Sequence, residues 1–210
     1  MGVGDGIEVK PANWRFRGEV VDKFDEHVAK SVPLYHEGHE LILSISDYFV
    51  KDDSLCYDLG CSTGTLALAL AEHNTHKPDA RFVGIDSEPD MIDRAREKRR
   101  GLGIESASFQ VDDIVAVELE PCDLVTAYYT IQFVRPSVRQ ALIDKIYNSL
   151  QWGGALLMFE KVRANDARFQ DILTGLYTDY KLGQGYTAEE IVSKSRSLKG
   201  VLEPFSTQGN

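Results

Sequence analysis

The sequence predicts a doubly wound α/β fold, a parallel sheet of Rossmann type with helices on both faces. Three observations carry that prediction. The stretch Cys56-Tyr57-Asp58-Leu59-Gly60-Cys61-Ser62-Thr63-Gly64-Thr65 reads as a short apolar strand, a glycine-bracketed turn and the start of a helix. A second apolar run, Arg81 to Asp86, ends in a carboxylate 22 residues after Gly64. Beyond it strand-like and helix-like segments keep alternating, as parallel strands joined by helical crossovers require.

The elements follow in order. Residues 1–13 are Gly-rich and read as a mobile N-terminus. Residues 14–50 read as an N-terminal lid and helix, and residues 51–210 as the Rossmann-like body of a chain that is a single domain overall. Trp14 and Phe16 open a segment of little periodicity that reaches Ser31-Val32-Pro33-Leu34-Tyr35. A helix follows, with Leu41, Ile42, Ile45 and Phe49 on one face. The first strand covers about 55–60, the glycine-loop helix about 64–73 and the second strand about 81–86. Ser87, Pro89 and Asp90 start a helix whose buried side is Met91, Ile92 and Ala95, and Gly101 and Gly103 stop it. Strands are expected near 107–112 and 123–128. Pro136 and Ser137 introduce a helix with Val138, Leu142, Ile143, Ile146 and Leu150 at helical spacing. Trp152-Gly153-Gly154 turns the chain into a fifth strand, 155–160. Helices near 165–181 and 188–197 close the pattern, the second opened by a capping box of Thr187 and Glu190.

The glycine loop points to a ligand. Glycine lets the backbone turn sharply and lets a ligand approach where a Cβ would clash. An ionised Asp86 at the next strand tip can accept from both ribose hydroxyls. A dinucleotide site usually reads G-x-G-x-x-G and crowds a pyrophosphate. Here the loop reads Asp58-x-Gly60-x-Ser62-x-Gly64, and an acid ahead of it repels pyrophosphate but attracts a cationic amino-acid end. That favours S-adenosylmethionine (SAM), which carries an ammonium and a sulfonium. The same five residues, Gly60 to Gly64, also match the nucleophile elbow G-x-S-x-G. That chemistry needs an acid and then a His downstream, and the histidines (27, 36, 39, 73 and 76) leave none beyond position 76.

Composition narrows the partners. The formal net charge is −10, and the densest basic run, Arg94 to Arg100, interleaves with Asp93 and Glu97 as a solvated helix face. A small-molecule substrate is therefore expected, with no direct nucleic-acid partner. No apolar run approaches the roughly 20 residues of a membrane span, and the N-terminus has no signal-peptide pattern. A cytoplasmic location is expected. Cys56, Cys61 and Cys122 lack disulfide or metal spacing and read as small apolar fillers in a reducing compartment; no metal is expected.

These motifs resemble class I SAM-dependent methyltransferases. A closer resemblance runs over most of the chain: Trp14-x-Phe16, Ser31-Val32-Pro33-x-Tyr35, Tyr57 to Ser62, Thr130-Ile131-Gln132-Phe133, Arg139-Gln140-Ala141-Leu142, Asp144-Lys145-Ile146-Tyr147, Gly153-Gly154-Ala155-Leu156 and Gly185-Tyr186. In these it is similar to the carboxy-S-adenosyl-L-methionine synthase family, also labelled tRNA (cmo5U34) methyltransferases. Members convert SAM and prephenate into carboxy-SAM for modification of the tRNA wobble uridine. The resemblance implies a homodimer and a ligand that is SAM or a derivative such as carboxy-SAM or S-adenosylhomocysteine. It implies that Gly60, Ser62 and Gly64 cradle the methionine end, with Asp58 near the ammonium or ordering the loop from behind. It places Asp86 on the ribose and Met91 against adenine. Asp113 would accept from the adenine amino group, the Ile114 amide would donate to a ring nitrogen, and Tyr35 would close over the site.

Three departures from the family stand out. Tyr128, expected among the cofactor-binding residues at the strand ends, ends the fourth strand where the family has Asn. The family's Lys-Arg-Ser, whose Arg grips the added carboxylate, reads Lys194-Ser195-Arg196-Ser197 here, and Ser195 takes the Arg position. The antiparallel sixth and seventh strands of the usual fold are expected to be absent, which leaves the fifth at an open edge. The first two departures favour ordinary methyl transfer to a small molecule. Carboxy-SAM synthesis and a non-catalytic SAM-binding role remain the alternatives. Methyl transfer rests on in-line alignment and needs no catalytic dyad. If the acceptor must lose a proton, Tyr128 or His36 is the candidate, and Arg196 is the candidate for holding a carboxylate.

Overall fold

The computed structural model describes Gly2 and residues 19–210; the expected mobile N-terminus, and Trp14 and Phe16, fall outside the described residues. The chain divides into two compact units, one of residues His36–Phe159 and one of Met1–Tyr35 with Glu160–Asn210.

The central unit holds the sheet. Its strands are β1 (Leu55–Leu59), β2 (Arg81–Asp86), β3 (Ala107–Val111), β4 (Cys122–Tyr128) and β5 (Leu150–Phe159). All pair in parallel, in the order β3-β2-β1-β4-β5. The chain winds outward from β1 to β3 and then returns to the other side of β1. That reversal between β1 and β4 is the switch point where ligands of open α/β sheets bind, beyond the carboxyl ends of the strands. The doubly wound sheet read from the sequence is the one observed, and five strands are present among the described residues.

Alternation along the strands divides the core. Leu55, Tyr57 and Leu59 of β1 face one side with Ile85, Val125 and Ala127, packed against Leu142 and Ile146 of α5 (Pro136–Ser149). Cys56 and Leu124 face the other, with Phe82, Phe109 and residues of α3 (Thr65–His73) and α4 (Pro89–Leu102). Each such side chain contributes roughly 1.5–3 kcal/mol by leaving water. The α4 face is Met91, Ile92 and Ala95, as its spacing predicted. The helix runs through Gly101 and stops at Gly103, whose φ of 66° suits a left-handed cap.

Two boundaries differ from expectation. β5 begins at Leu150, not at 155. The Trp152-Gly153-Gly154 segment is part of an irregular strand whose register against β4 shifts between Cys122 and Leu124. On α2 (Tyr35–Ser46) the buried face is Gly38, His39, Ile42 and Ser46, while Leu41 is exposed. The helix turns its small and polar residues inward.

The other unit contains α1 (Glu19–Ser31), α6 (Ala167–Gly183) and α7 (Ala188–Ser197). α1 is a helix where little periodicity was read, although Val21 is buried and Phe24 and Val28 partly buried at helical spacing; polar groups share its inner face. His27 and Ser31 are buried. Lys194 Nζ lies 2.6 Å from His27 Nε2 and donates to Ser31 Oγ at 2.9 Å. The Tyr177 hydroxyl donates to the Ser31 carbonyl at 2.9 Å. Tyr186, of the Gly185-Tyr186 motif, is buried with its hydroxyl 3.1 Å from Ser31 Oγ. Lys181 is 2% exposed, its ammonium 4.2 Å from the Tyr186 ring centroid. The Thr187–Glu190 capping box opens α7 as predicted.

Candidate functional site

The turn after β1 is held from several directions. Gly60, Ser62 and Gly64 have φ of 72°, 50° and 75°, in the left-handed region that L-residues disfavour. A non-glycine residue held there costs on the order of 1–3 kcal/mol, so its surroundings must fix it. The amides of Gly60 and Cys61 donate to the Ile85 carbonyl at 2.8 and 3.1 Å. The Ser62 amide donates to Asp86 Oδ2 at 2.9 Å. From α4, Lys98 Nζ donates to the hydroxyls of Thr63 and Thr65 at 2.8 and 2.9 Å. The loop is thereby fastened to the tip of β2 and to α4. A Cβ on Gly60 would collide with the Thr130 side chain. A Cβ on Gly64 would lie 2.6 Å from the Phe109 ring and 2.8 Å from Ala95 Cβ. Protein neighbours, not open space, surround the place where a Gly64 side chain would go.

Asp86 does two jobs at the end of β2. Its Oδ2 takes the Ser62 amide, and its Oδ1 takes the Glu88 amide at 2.9 Å. The second bond starts α4, whose own N-cap, Glu88, makes no side-chain capping bond. Ser87 therefore does not begin the helix; Asp86 does. A carboxylate has about four acceptor positions. The Ser62 and Glu88 amides occupy two of them and the Ser87 amide approaches as well; what remains is left for ribose hydroxyls. Burial raises the Asp86 pKa, and the three amides oppose that rise.

Asp58 faces inward. It is 4% exposed and accepts from Thr126 Oγ1 at 2.8 Å. Thr126 is its register partner on β4, and the Ala67 amide of α3 also hydrogen-bonds to the carboxyl. Of the two expected places, this is the one behind the loop. Burial pushes its pKa up to about 7. The folded protein thus holds this proton far more tightly than the unfolded chain, where an Asp titrates near 4. Stability from this group is greatest at pH below about 4, falls as pH rises to about 7, and levels off above. Asp58→Asn removes the charge: its carbonyl oxygen still accepts from Ala67, and its NH2 can donate to Thr126 Oγ1, whose hydroxyl then donates to the Tyr57 carbonyl instead. It should raise stability at pH 8 by up to about 4 kcal/mol and flatten that slope. Urea unfolding of both proteins at pH 5 and pH 8 checks this, and equal slopes would refute it.

On the far side of β2, the chain leaving β3 curls around Asp113. Asp113 Oδ1 accepts the Val115 amide at 2.8 Å, and its own amide is held by Asp112 Oδ1 at 2.8 Å. Asp112 is tied back to β2, its amide donating to the Asp86 carbonyl at 3.0 Å. Asp113 is exposed and Ile114 is buried. Met91 is buried on the inner face of α4. Gly60, Ser62, Gly64, Asp86, Asp113 and Ile114 therefore all lie along the carboxyl ends of β1, β2 and β3.

Of the acid–base candidates, Tyr128 ends β4 beside the switch point. The Tyr128 ring packs against His39, Tyr129 and Phe159, with centroids 4.7, 4.9 and 5.1 Å away. Its hydroxyl abuts Gly38, where a Cβ would collide with it. Burial raises its pKa, so the phenol is neutral at pH 7 and unsuited to take a proton from an acceptor. His36 is exposed on the first turn of α2. Tyr35 is partly buried and Arg196 exposed; both belong to the other unit.

Residues that sequence reasoning passed over hold this rim together. Thr126 is one; Lys98, expected on a solvated helix face, is instead turned to the loop hydroxyls. Two more come from α5: Arg139 donates to the carbonyls of Val134 and Gln132 at 2.8 and 3.2 Å, and Lys145 donates to three carbonyls after β3. A cation on an otherwise apolar helix face was the available signal. The three cysteines are buried and free, with pKa values raised by burial, to about 12 at Cys56 and about 11 at Cys122. Among the described residues no group of His, Cys, Asp and Glu could hold a metal ion, and no helix is long and apolar enough to cross a membrane.

Residues 57–154 match the family model described as a methyltransferase domain. The carboxy-S-adenosyl-L-methionine synthase of Nitratiruptor sp. is 36% identical over 98% of this chain and 86% of its own length. The enzyme of that name from Helicobacter hepaticus is 38% identical over 94% of this chain and 83% of its own. Among solved structures, an S-adenosyl-L-methionine-dependent methyltransferase described from Methanococcus maripaludis superposes with a TM-score of 0.59 at 17% identity, covering 93% of this chain and 88% of its own.

Proposed function

From the premise that this chain belongs to the carboxy-S-adenosyl-L-methionine synthase family of SAM-dependent, methyltransferase-fold enzymes, we propose that it binds SAM along the carboxyl ends of β1, β2 and β3 and converts it to carboxy-SAM. The observation that carries the binding mode is Asp86. Its two oxygens are fixed by the Ser62 and Glu88 amides, which aims the unused acceptor positions where ribose hydroxyls would lie. SAM supplies an activated methyl group on a sulfonium. The chain supplies the grip: the 60–64 turn at the amino-acid end, Asp86 at the sugar, and Asp113 with the Ile114 amide at the base. Asp58 acts from beneath, through Thr126 and α3.

The family relationship moves the preferred reaction away from the simple methyl transfer that the departures suggested. A specific observation still favours methyl transfer as the second reading. Ser195, at the family's carboxylate-gripping position, is exposed and short, and Tyr128 fills the place of an Asn. A single measurement separates the two readings. Protein purified from cells should release a ligand heavier than SAM by the mass of CO2, and turnover of SAM with prephenate should yield the same species. Release of SAM or S-adenosylhomocysteine alone, with no carboxylated product, would favour methyl transfer. Binding without turnover of any kind would leave a SAM-binding protein.

The partners follow the same reading. A small-molecule substrate suits a net charge of −10. A second copy of the chain is the expected protein partner. The exposed stripe of Phe169, Ile172, Leu173 and Leu176 on α6, at helical spacing, is an apolar face that a homodimer would cover. Three buried free thiols accord with a cytoplasmic location.

A further inference from the structure

We infer that Lys145 is the positioning residue for the base end of the ligand, an inference that rests on adenine lying beside Asp113 and Ile114. Lys145 stands on α5 between the core residues Leu142 and Ile146. Its ammonium donates to the carbonyls of Ile114 at 2.8 Å, Val115 at 2.8 Å and Val117 at 2.7 Å. An ammonium has three protons, and this one spends all of them on one turn of main chain. Three carbonyl dipoles aimed at one point repel one another and need a cation between them.

The turn they belong to is the one that presents the base-binding groups. The Asp113 carbonyl accepts the amides of Ala116 and Val117 at 2.9 and 2.8 Å, and Asp113 Oδ1 accepts the Val115 amide. Asp113 therefore lies at the centre of a curl whose outer carbonyls all converge on Lys145. Fixing those carbonyls fixes the direction of the Ile114 amide and of the second Asp113 oxygen. Lys145 reaches no ligand itself. It decides where the residues that do so are held, and with them the discrimination between an amino and an oxo group on the base.

The variant Lys145→Met keeps the apolar stem and removes the cation. Calorimetric titration of the full chain with S-adenosylhomocysteine and with S-inosylhomocysteine, which carries an oxo group in place of the amino group, tests the inference. Wild type should prefer the adenine form by about tenfold or more, the effect of one hydrogen bond to a carboxylate. Lys145→Met should bind S-adenosylhomocysteine about tenfold more weakly and retain a preference of no more than about threefold. A role in stability alone would lower the melting temperature and leave that ratio intact. If Lys145→Met does not fold, Lys145→Gln, with two donors and no charge, should lower the preference at least about threefold; an unchanged ratio overturns the inference. A wild type that binds neither ligand overturns the site itself. A wild type that discriminates, beside a variant that discriminates equally, overturns only the role of Lys145.

Discussion

Asp86→Ala should weaken SAM binding by about 100-fold or more while the protein stays folded. Two hydrogen bonds from ribose hydroxyls to an ionised carboxylate contribute roughly 1.5–3 kcal/mol each, and the substitution removes both. It also frees the Ser62 and Glu88 amides, which loosens the turn and the start of α4 together. The fold loses the acceptor of two amides, at about 1–3 kcal/mol for each one left unpaired, and part of that loss is offset because burial raises the Asp86 pKa. A carboxyl with a raised pKa is less at ease charged in the folded protein than in the unfolded one, so at neutral pH its removal relieves that cost. Asp86→Asn sharpens the test. Ribose hydroxyls rotate and can accept from an amide as readily as donate to it. Backbone amides cannot turn round, and one of them would face the new NH2 group. Asp86→Asn should therefore bind nearly as poorly as Asp86→Ala. Calorimetric titration gives both affinities and a thermal melt gives the stability. A loss below about threefold for Asp86→Ala would remove the sugar from this position.

How much of this was legible in the sequence depends on where each residue finds its partner. The place of Asp86 was legible because it follows from local order: a strand, an acid at its tip, a helix next. The second strand and the buried face of α4 were read from spacing alone, and both stand as read. α1 was not legible. Its inner face uses His27 and Ser31, whose partners Tyr186 and Lys194 lie more than 150 residues away in the chain. Val21, Phe24 and Val28 do recur at helical spacing, but His27 and Ser31 complete the buried face and interrupt the apolar stripe. The same limit hid Arg139 and Lys145. Both stand on an apolar face of α5, where counting hydrophobic residues treats a cation as an interruption. Their acceptors are main-chain carbonyls, which have no sequence signature at all. Asp58 was legible as important and ambiguous in direction. The register of β1 against β4, which sets Thr126 beside it, decided that it points inward.

Gly64→Ala should lower the stability of the ligand-free protein by about 2–5 kcal/mol. Two costs add. At φ of 75° an L-residue loses on the order of 1–2 kcal/mol against its preferred conformations. The new methyl would also stand 2.6 Å from the Phe109 ring and 2.8 Å from Ala95 Cβ, well inside the 3.5–4.0 Å at which carbons attract. Overpacking of that kind typically costs 1–3 kcal/mol. For a chain of this size each kcal/mol moves the melting temperature by about 2–4 °C, so a fall of roughly 5–20 °C is expected. Gly84 meets the same ring, a Cβ there lying 2.6 Å from it. Two glycines from different elements thus make the hole that Phe109 fills. Phe109→Leu in the Gly64→Ala background should restore part of the packing cost and none of the backbone cost. The sequence alone assigns Gly64 to the approach of a ligand, and the two explanations part at this substitution. If ligand approach were the reason, the ligand-free melt would fall only by the backbone cost of about 1–2 kcal/mol, and Phe109→Leu would bring none of it back. If packing is the reason, the melt falls without any ligand and the second substitution brings part of it back.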